Sequence, residues 1–341
     1  MRQVILGKSG LEVSAVGFGG IPIQRLSPIQ AARVVRAALD LGVTFIDTAA
    51  SYGDSEEKIG RAIAGRRDSL VLASKSANRT RDGMMGDIDR SRRHLGTETI
   101  DLYQLHDVRL ESWLEISAAG GAMEALLEAR RKGWINHIGF TSHSVEAALR
   151  LIEEPVFETV QFPFNLITRE PGERLIPRAR AEKLGFIVMK PLCGGQFEDA
   201  ELAFRFLNAY PDLVPIPGIE RAAEIRQIVA VVTSGAELRG KDRRRSARIV
   251  DELGKLFCRR CGYCMPCPEG VPIVLGMIFE SFIKRMSPRL VTERYAGELV
   301  DKASLCTDCG QCQEKCPYDL PIGETIKRAA GLADDLLREY G

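Results

Sequence analysis

The sequence predicts an α/β protein in which a closed (β/α)8 barrel, preceded by a β-hairpin, is followed by a small, mostly helical, cysteine-rich domain. Apolar strand-like runs alternate with amphipathic segments in the first part of the chain, as in βα units around a parallel sheet. All but one of the nine cysteines lie between Cys258 and Cys316. We therefore expect a barrel at residues 1–235, a linker and helix at 236–255, and a second domain at 256–341.

Eight apolar runs have the length and composition of buried parallel strands. They are Ser14–Gly19, Thr44–Asp47, Leu70–Lys75, Ile100–His106, Ile135–Thr141, Thr159–Phe164, Phe186–Lys190 and Val214–Gly218. Eight repeats in about 235 residues suit a closed barrel, and an open doubly wound sheet is the alternative. The opening segment VILGKSGLEV, with Ser-Gly between two apolar runs, predicts the hairpin.

The amphipathic segments between these strands are typical of helices. They include Pro28–Leu41, Ser55–Ala64, Ala122–Arg131, Val145–Ile152 and Arg174–Lys183. The charged segment Gly235–Lys255 is interpreted as a linker that runs into a helix, with its arginines on a solvated face. The chain ends in a helix-like tail, Gly323–Tyr340.

The composition excludes several classes of protein. Of 341 residues, 45% are hydrophobic and 27% charged, as in an ordinary globular protein. With 47 Lys and Arg against 46 Asp and Glu, the net charge is +1, so no overall field attracts nucleic acid or an anionic membrane. The first residues lack the apolar core of a signal peptide, and no stretch of about 18 apolar residues predicts a membrane span. We expect a cytoplasmic protein whose cysteines are not paired as disulfides.

The glycines near the start do not form a known nucleotide-binding loop. Gly17, Gly19 and Gly20 lack the Gly-x-Gly-x-x-Gly spacing, and the segment at Gly7 lacks the upstream glycine of a phosphate loop. A nucleotide would therefore use the phosphate site of the barrel itself, after the seventh and eighth strands. Those loops are Leu192–Gly195 and Gly218–Arg221, where Arg221 could meet a phosphate.

Four polar residues lie at or just after the ends of three consecutive predicted strands. Asp47 ends the second strand and Tyr52 follows it, Lys75 ends the third strand, and His106 ends the fourth. Because barrel active sites form at the carboxyl ends of the strands, the fold would bring the four together. A lysine held by an aspartate would favour the phenolate of a tyrosine, and a histidine would orient a carbonyl oxygen. Together the four residues could act in general acid catalysis, donating a proton while a hydride reduces a carbonyl. Taken singly, each also has a structural explanation, for example Asp47 as a helix cap, Tyr52 as a surface aromatic residue or His106 as a core residue.

The flanking residues resemble the aldo/keto reductases, which are (β/α)8 barrels with an Asp-Tyr-Lys-His catalytic tetrad. The matching stretches are FIDTAASYG, LASK and LYQLH, and the resemblance extends to Lys132–Phe140, Val160–Phe162, and Ile216–Gly218 with Glu224. It covers residues 1–235. It implies a small carbonyl or alcohol substrate, and NADP or NAD extended across the barrel mouth.

The resemblance also implies the cofactor contacts. Thr141, Ser142 and Gln161 would lie near the carboxamide, Met189, Lys190 and Leu192 near the ring and pyrophosphate, and Gly218, Arg221, Glu224 and Gln227 around the adenosine. His143 departs from the asparagine usual in the family, and Ile219–Glu220 departs from small or basic residues, so the choice between NADH and NADPH stays open. The loop Asp107–Gly121, with Trp113, is expected either to wall the substrate pocket or to form a packed excursion.

Two cysteine runs give the strongest signal in the chain. Cys306, Cys309, Cys312 and Cys316 have the C-x2-C-x2-C-x3-C-P spacing of bacterial ferredoxins, whose fourth cysteine ligates the other cluster. The first run, Cys258, Cys261, Cys264 and Cys267, has only two residues before its last cysteine. We predict one [4Fe–4S] cluster on Cys258, Cys261, Cys264 and Cys316, and a second on Cys306, Cys309, Cys312 and Cys267. Two zinc sites are the alternative, although zinc usually takes separated cysteine pairs.

Aldo/keto reductases with a ferredoxin-like dicluster tail form a subgroup that this chain resembles. A nicotinamide gives two electrons as a hydride whereas a cluster accepts one, and no motif identifies a converter such as a flavin. Three hypotheses follow: a carbonyl reductase with structural clusters, an electron-transfer module serving a redox partner protein, or a nicotinamide-binding redox sensor. The tetrad favours the first over the third. Cys193 is interpreted as a small buried apolar residue.

Overall fold

The computed structural model describes all residues from 1 to 341. The chain divides into two compact units, one formed by Met1–Leu192 with Phe197–Leu238 and the other by Cys193–Gln196 with Arg239–Gly341. None of its helices combines the length and apolar character that crossing a bilayer requires.

The first unit contains the predicted (β/α)8 barrel. Its eight parallel strands pair in chain order and are β3 (Phe18–Gly19), β4 (Phe45–Asp47), β5 (Val71–Ser76), β6 (Ile100–Leu105), β7 (Ile135–Thr141), β8 (Thr159–Pro163), β9 (Gly185–Met189) and β10 (Val214–Pro215). The last strand meets the first, since the amides of Gly17 and Gly19 donate to the carbonyl oxygens of Pro215 and Pro217 at 2.9 and 2.8 Å. A Cβ on Gly19 would lie 2.8 Å from the Pro217 oxygen, so this seam needs a glycine. The barrel prediction is confirmed.

Helices connect the strands, in the order that the sequence predicts. They are α1 (Pro28–Asp40), α2 (Ser55–Ile63), α3 (Arg81–Leu95), α4 (Leu110–Ser117), α5 (Ala122–Arg131), α6 (Val145–Ile152), α7 (Glu170–Ala181), α8 (Ala200–Leu207) and α9 (Ala222–Ser234). Helix α7 begins four residues before the predicted Arg174, because Pro171 fits the first turn of a helix, where no amide hydrogen bond is lost.

The predicted hairpin closes the amino-terminal end of the barrel. Its strands, β1 (Gln3–Ile5) and β2 (Glu12–Ser14), pair antiparallel with Val4 opposite Val13. Both valines belong to one buried cluster with inward-facing residues at the start of the strands, namely Phe45, Ala73, Leu102, Ile187 and Val214. This apolar plug leaves the carboxyl ends of the strands as the open end of the barrel.

The second unit is helical. It contains α10 (Lys241–Gly254), α11 (Ile273–Arg285), α12 (Pro288–Val291), a π-helical turn at Thr292–Ala296, α13 (Gly297–Ala303), α14 (Gln311–Glu314) and α15 (Ile322–Tyr340). The predicted linker therefore contains a helix, and the predicted tail helix is α15. A small core of Val271, Ile273, Met277, Leu320, Ile322 and Ile326 packs against the side chains of six cysteines, Cys258, Cys264, Cys267, Cys306, Cys312 and Cys316.

Candidate functional site

Strand alternation explains why polar side chains collect inside the open end of the barrel. Phe45, Ala73 and Leu102 belong to the apolar interior. Residues two positions further along a strand point to the same side, and here they are Asp47, Lys75 and Gln104. The strand register places Lys75 beside Gln104. The barrel interior thus changes from an apolar layer to a polar layer over two residues of each strand.

Asp47 and Lys75 form a buried ion pair. The Nζ atom of Lys75 lies 2.6 Å from Oδ2 of Asp47, and the two side chains are 1% and 3% exposed. Lys75 also donates to the carbonyl oxygen of Thr48 at 2.7 Å. Burial raises the pKa of Asp47, and the charge of Lys75 opposes that rise. Burial alone would lower the pKa of Lys75, but Asp47 and Tyr52 outweigh it, so this pKa lies above its usual value. The pair keeps a lysine cation inside the barrel.

Tyr52 and His106 lie next to this pair. The ammonium group of Lys75 lies 5.0 Å from the centroid of the Tyr52 ring. The rings of Tyr52 and His106 meet edge to face, with centroids 5.8 Å apart. The fold therefore brings together all four residues that the sequence analysis singled out for catalysis.

His106 lies in an environment that opposes its protonation. Burial, followed by the nearby charge of Lys75, lowers its pKa from 6.5 to about 3. Its Nδ1 atom is buried without a hydrogen-bond partner. At neutral pH the ring is therefore neutral, and one of its nitrogens has no partner.

Gln104 is a site residue that the sequence analysis missed. Its Nε2 atom donates to Oε1 of Gln161 at 3.0 Å and approaches Oδ1 of Asp47 at 3.3 Å. It thus joins the ion pair to a predicted cofactor-binding residue. The alternation Leu102-Gln104-His106 on one strand was the available signal, because the three side chains share a face.

A second polar network occupies the loops after β6, β7 and β9. The Nδ1 atom of His143 donates to Oδ1 of Asp107 at 2.8 Å, and its Nε2 atom accepts from the ammonium of Lys190. Burial acts to raise the pKa of Asp107, but His143 and nearby cations leave it well below its usual value. The amide of Asp107 donates to Oγ1 of Thr141 at 2.8 Å. His143, which stands where the family usually has asparagine, therefore links Asp107 to Lys190 by hydrogen bonds.

Two further residues hold the backbone of this region. Nη2 of Arg79 donates to the carbonyl oxygens of His106 and Asp107, each at 2.9 Å. Nδ2 of Asn165 donates to the carbonyl oxygen of Lys190 at 2.9 Å. Asp107 and Lys190 have φ values of +53° and +56°, an uncommon conformation for these residue types that such contacts fix in place.

The remaining predicted cofactor residues fall into two groups. Ser142 is buried and donates to the carbonyl oxygen of Val108 at 2.7 Å, and the backbones of Met189 and Leu192 flank Lys190 at the end of β9. The others follow β10 at the start of α9, namely Gly218, Arg221, Glu224 and Gln227. There, Glu224 accepts from the amide of Arg221 at 3.0 Å and from its Nε at 2.7 Å.

The loop Asp107–Gly121 contains α4 and a half-buried Trp113. The Trp113 ring lies against Phe157, with centroids 5.7 Å apart, and Phe157 in turn packs edge to face on Phe140 at 4.9 Å. This part of the loop is therefore packed on the barrel core.

The cysteines of the second unit surround two cavities. The first cysteine cavity is lined by Cys258, Cys261, Cys264 and Cys316. The second cysteine cavity is lined by Cys267, Cys306, Cys309 and Cys312, and Cys264 lines both cavities. Apart from the shared Cys264, each cavity therefore unites three cysteines of one sequence run with the last cysteine of the other.

These cavities fit iron–sulfur clusters in the chemistry of their donors. All the donors are free thiols, and thiolates are the ligands of such clusters. No three His, Cys, Asp or Glu side chains converge closely enough to hold a single metal ion. Burial, reinforced by the neighbouring cysteines, raises the pKa of the Cys264 thiol to about 12, so a bound cation would be needed to keep it ionised.

Comparison with known families agrees with both units. The model of the aldo/keto reductase family matches residues 15–202, more than half of the chain. The model of the 4Fe-4S dicluster domain matches residues 255–320.

Individual proteins resemble the barrel. The aldo-keto reductase YhdN of Bacillus subtilis is 32% identical over 216 residues, which cover 57% of this chain and 63% of YhdN. The holo form of the aldo-keto reductase AKR11C1 from Bacillus halodurans shares the fold, with a TM-score of 0.64 at 22% identity over 73% of this chain and 96% of that one. An aldo/keto reductase of Klebsiella pneumoniae, solved with NADP and acetate, has a TM-score of 0.62 at 24% identity. The match covers 73% of this chain and 95% of that one. With its barrel, its inward-facing polar layer and the match over residues 15–202, the chain belongs to the aldo/keto reductase family.

Proposed function

We propose that the protein is an NAD(P)H-dependent oxidoreductase that interconverts a small aldehyde or ketone and its alcohol, and that its second domain holds two [4Fe–4S] clusters. The observation that supports the barrel chemistry is the buried Asp47–Lys75 pair beside Tyr52 and His106. The substrate class follows from this acid–base arrangement and from family membership.

Tyr52 is the proposed proton donor. When bound, the nicotinamide supplies or accepts the hydride, so the carbonyl oxygen must receive a proton from the protein. Lys75, whose ammonium is 5.0 Å from the Tyr52 ring, favours the phenolate left after donation. Asp47 holds Lys75 in this position and balances its charge in the barrel interior. In the reverse direction the same phenolate takes the proton from the alcohol.

His106 is the proposed orienting group. Because its pKa is lowered to about 3, its ring is neutral at physiological pH and does not compete with Lys75 for a negative oxygen. A neutral ring donates one hydrogen bond, and the His106 ring lies beside Tyr52 with centroids 5.8 Å apart. It would direct the carbonyl oxygen toward the Tyr52 hydroxyl.

The cofactor contacts stay as proposed from the sequence. The unpartnered Nη1 of Arg79 and Oε1 of Gln104, both buried near the tetrad, support a polar ligand at this end of the barrel. The Klebsiella reductase contains NADP. In this chain Glu220 is paired with Arg25 at 3.2 Å, which partly offsets the repulsion of a 2′-phosphate, so we propose NADP or NAD as the cofactor.

The proposed ligands follow the two cavities. One cluster would be held by Cys258, Cys261, Cys264 and Cys316, and the other by Cys306, Cys309, Cys312 and Cys267. The supporting observation is that each cavity is lined by one of these sets. Zinc in place of iron is the outcome that would contradict this assignment. The proposed location is the cytoplasm, where thiols remain reduced.

One experiment tests the whole proposal. Protein purified without oxygen is analysed for metal, and NADH and NADPH oxidation is followed against a panel of aldehydes and ketones and against a one-electron dye. We expect about eight iron atoms per chain, as two [4Fe–4S] clusters require, and turnover with carbonyls. Two zinc atoms without iron would refute the cluster assignment, and dye reduction without carbonyl turnover would refute the reductase.

Electron transfer to a redox partner protein is the second candidate. The exposed Cys309 favours it, because a cluster ligated there lies near the surface of its domain. Replacement of Cys309 by serine should then abolish dye reduction by NAD(P)H while carbonyl turnover persists. The same variant should leave both activities intact if the clusters are structural.

A further inference from the structure

The two cysteine cavities differ in the charges that line them. Arg259 is the one charged residue lining the first cysteine cavity. Its guanidinium carbon lies 3.7 Å from the centroid of the Tyr318 ring, which lines the same cavity. A half-buried cation therefore faces the cysteines of this cavity.

Arg259 keeps its charge unbalanced. Its Nη1 atom donates to the carbonyl oxygens of Gly254 and Phe257 at 3.1 and 3.2 Å, and these acceptors are neutral. A guanidinium remains protonated in proteins, so hydrogen bonding does not remove its positive charge. Ring stacking on Tyr318 fixes the position of that charge.

The second cysteine cavity has a mixed lining in which acids outnumber bases. Its charged lining residues are Glu269, Asp308 and Lys315, two acids and one base. Oδ1 of Asp308 lies 3.8 Å from Sγ of Cys306. Asp308 also forms an exposed ion pair with Lys327 at 2.7 Å, which offsets its charge and is screened by water.

We propose that Arg259 raises the reduction potential of the cluster in the first cysteine cavity above that of the cluster in the second. This inference rests on the iron–sulfur assignment of the proposed function. Reduction adds one negative charge to a cluster, and a nearby cation stabilises the more negative form. Since Cys264 lines both cavities, the two cysteine cavities adjoin, and clusters held there would be neighbours. With both clusters bound, an electron from a one-electron donor would settle on the cluster held by the cysteines beside Arg259, and the cluster in the second cavity would pass its electron on.

Redox titration of the intact, iron-loaded chain tests this. Dithionite is the donor, and the two clusters are followed by electron paramagnetic resonance. Arg259→Gln should lower one midpoint potential and leave the other unchanged at the same iron content. Arg260→Gln is the matched control, because Arg260 stacks on Phe282 at 5.4 Å and lines neither cavity. It should shift neither midpoint.

A third variant assigns the signals. Asp308→Asn removes the carboxylate beside Cys306, so it should raise the midpoint that Arg259→Gln leaves unchanged. The proposal is overturned if Arg259→Gln shifts neither midpoint, if it shifts the same signal as Asp308→Asn, or if Arg260→Gln produces an equal shift.

A fourth variant separates the charge of Arg259 from its packing. Arg259→Lys keeps the positive charge and should hold the midpoint near that of the unmodified protein, even where Arg259→Gln loses iron. A lowered midpoint in an iron-replete Arg259→Lys protein overturns the proposal. The iron content tests the proposed function separately. Protein without iron would contradict both the iron–sulfur assignment and the role of Arg259. Protein with full iron and unaltered midpoint potentials would contradict only the role of Arg259.

Discussion

At the open end of the barrel, the partners of the Lys75 ammonium determine the charge around Tyr52 and His106. Lys75 has two oxygen partners within 2.7 Å, on Asp47 and Thr48, and is almost completely buried. A buried cation is tolerated only when it is paired, and this pairing gives Tyr52 a positive neighbour. Burial lowers the pKa of His106, and the same lysine lowers it further. The chemistry of three side chains therefore depends on one ion pair.

Tyr52→Phe should reduce carbonyl turnover by about a hundredfold to ten-thousandfold, the usual contribution of a general acid. The change removes only the hydroxyl group, so binding of NAD(P)H, measured by its fluorescence, should persist. Tyr210→Phe is the matched control, because Tyr210 packs on Phe164 and Phe206 away from the tetrad. Full activity in Tyr52→Phe would exclude Tyr52 as the proton donor.

Lys75→Met should lower the free energy of unfolding by about 3–5 kcal/mol, because it leaves the Asp47 carboxylate buried without its partner. The double variant Asp47→Asn, Lys75→Met removes both charges and should recover part of this loss. Urea unfolding followed by tryptophan fluorescence measures the barrel alone, since Trp113 and Trp134 are the only tryptophans. Equal stabilities of the single and double variants would contradict a coupled pair.

His106 should make the protein less stable as the pH falls from 6.5 toward 3. In this window the unfolded chain binds a proton at His106, because its pKa there is 6.5, whereas the folded protein, with a pKa of about 3, does not. Stability present above pH 6.5 is thus lost on acidification, by up to about 1.4 kcal/mol per pH unit. His106→Gln should show a shallower pH dependence of the free energy of unfolding between pH 6.5 and 4.5. Identical slopes would contradict the lowered pKa.

At the scale of elements, short-range signals fix where the helices begin. Ser27 starts α1 with a capping box, in which Oγ of Ser27 accepts from the amide of Gln30 and the Gln30 side chain accepts from the amide of Ser27. Pro28 follows in the first turn, where a missing amide costs nothing. Such contacts lie within four residues, so a sequence pattern reveals them. This is why the predicted start of α1 is confirmed.

Ser27→Ala should destabilise the barrel by about 1 kcal/mol, because the first turn of α1 loses a hydrogen-bond acceptor. Ser27→Asp is the matched substitution, since aspartate also caps a helix, and it should retain most of the stability. Urea unfolding monitored by tryptophan fluorescence measures both. An alanine variant as stable as the unmodified protein would show that tertiary packing alone determines this end of α1.

At the scale of the whole molecule, the two units differ in how they are stabilised. The barrel has an extensive apolar interior, which the hairpin closes at one end. In the second unit, the buried residues that pack against the cysteine side chains form one cluster of six. A cluster of that size leaves much of the stability of the cysteine-rich region to bound metal.

Removal of iron with a chelator under oxidising conditions should therefore unfold the cysteine-rich region and leave the barrel folded. Limited proteolysis should cleave within residues 255–320 of the metal-free protein and spare the barrel. The tryptophan-monitored urea transition should change little, because both tryptophans are in the barrel. Protection of 255–320 without metal would show that the apolar core suffices.

The sequence by itself determined the barrel, the hairpin, the strand ends that bear Asp47, Lys75 and His106, and the cysteine spacing, because each depends on local alternation, turn residues or separation along the chain. Only the tertiary structure revealed the hydrogen bonds of Gln104 and those that link Asp107, His143 and Lys190. These contacts join residues on different strands or in the loops that follow them, and strand register and loop conformation decide them. The same holds for the charge of Arg259, whose surroundings come from segments about 60 residues apart.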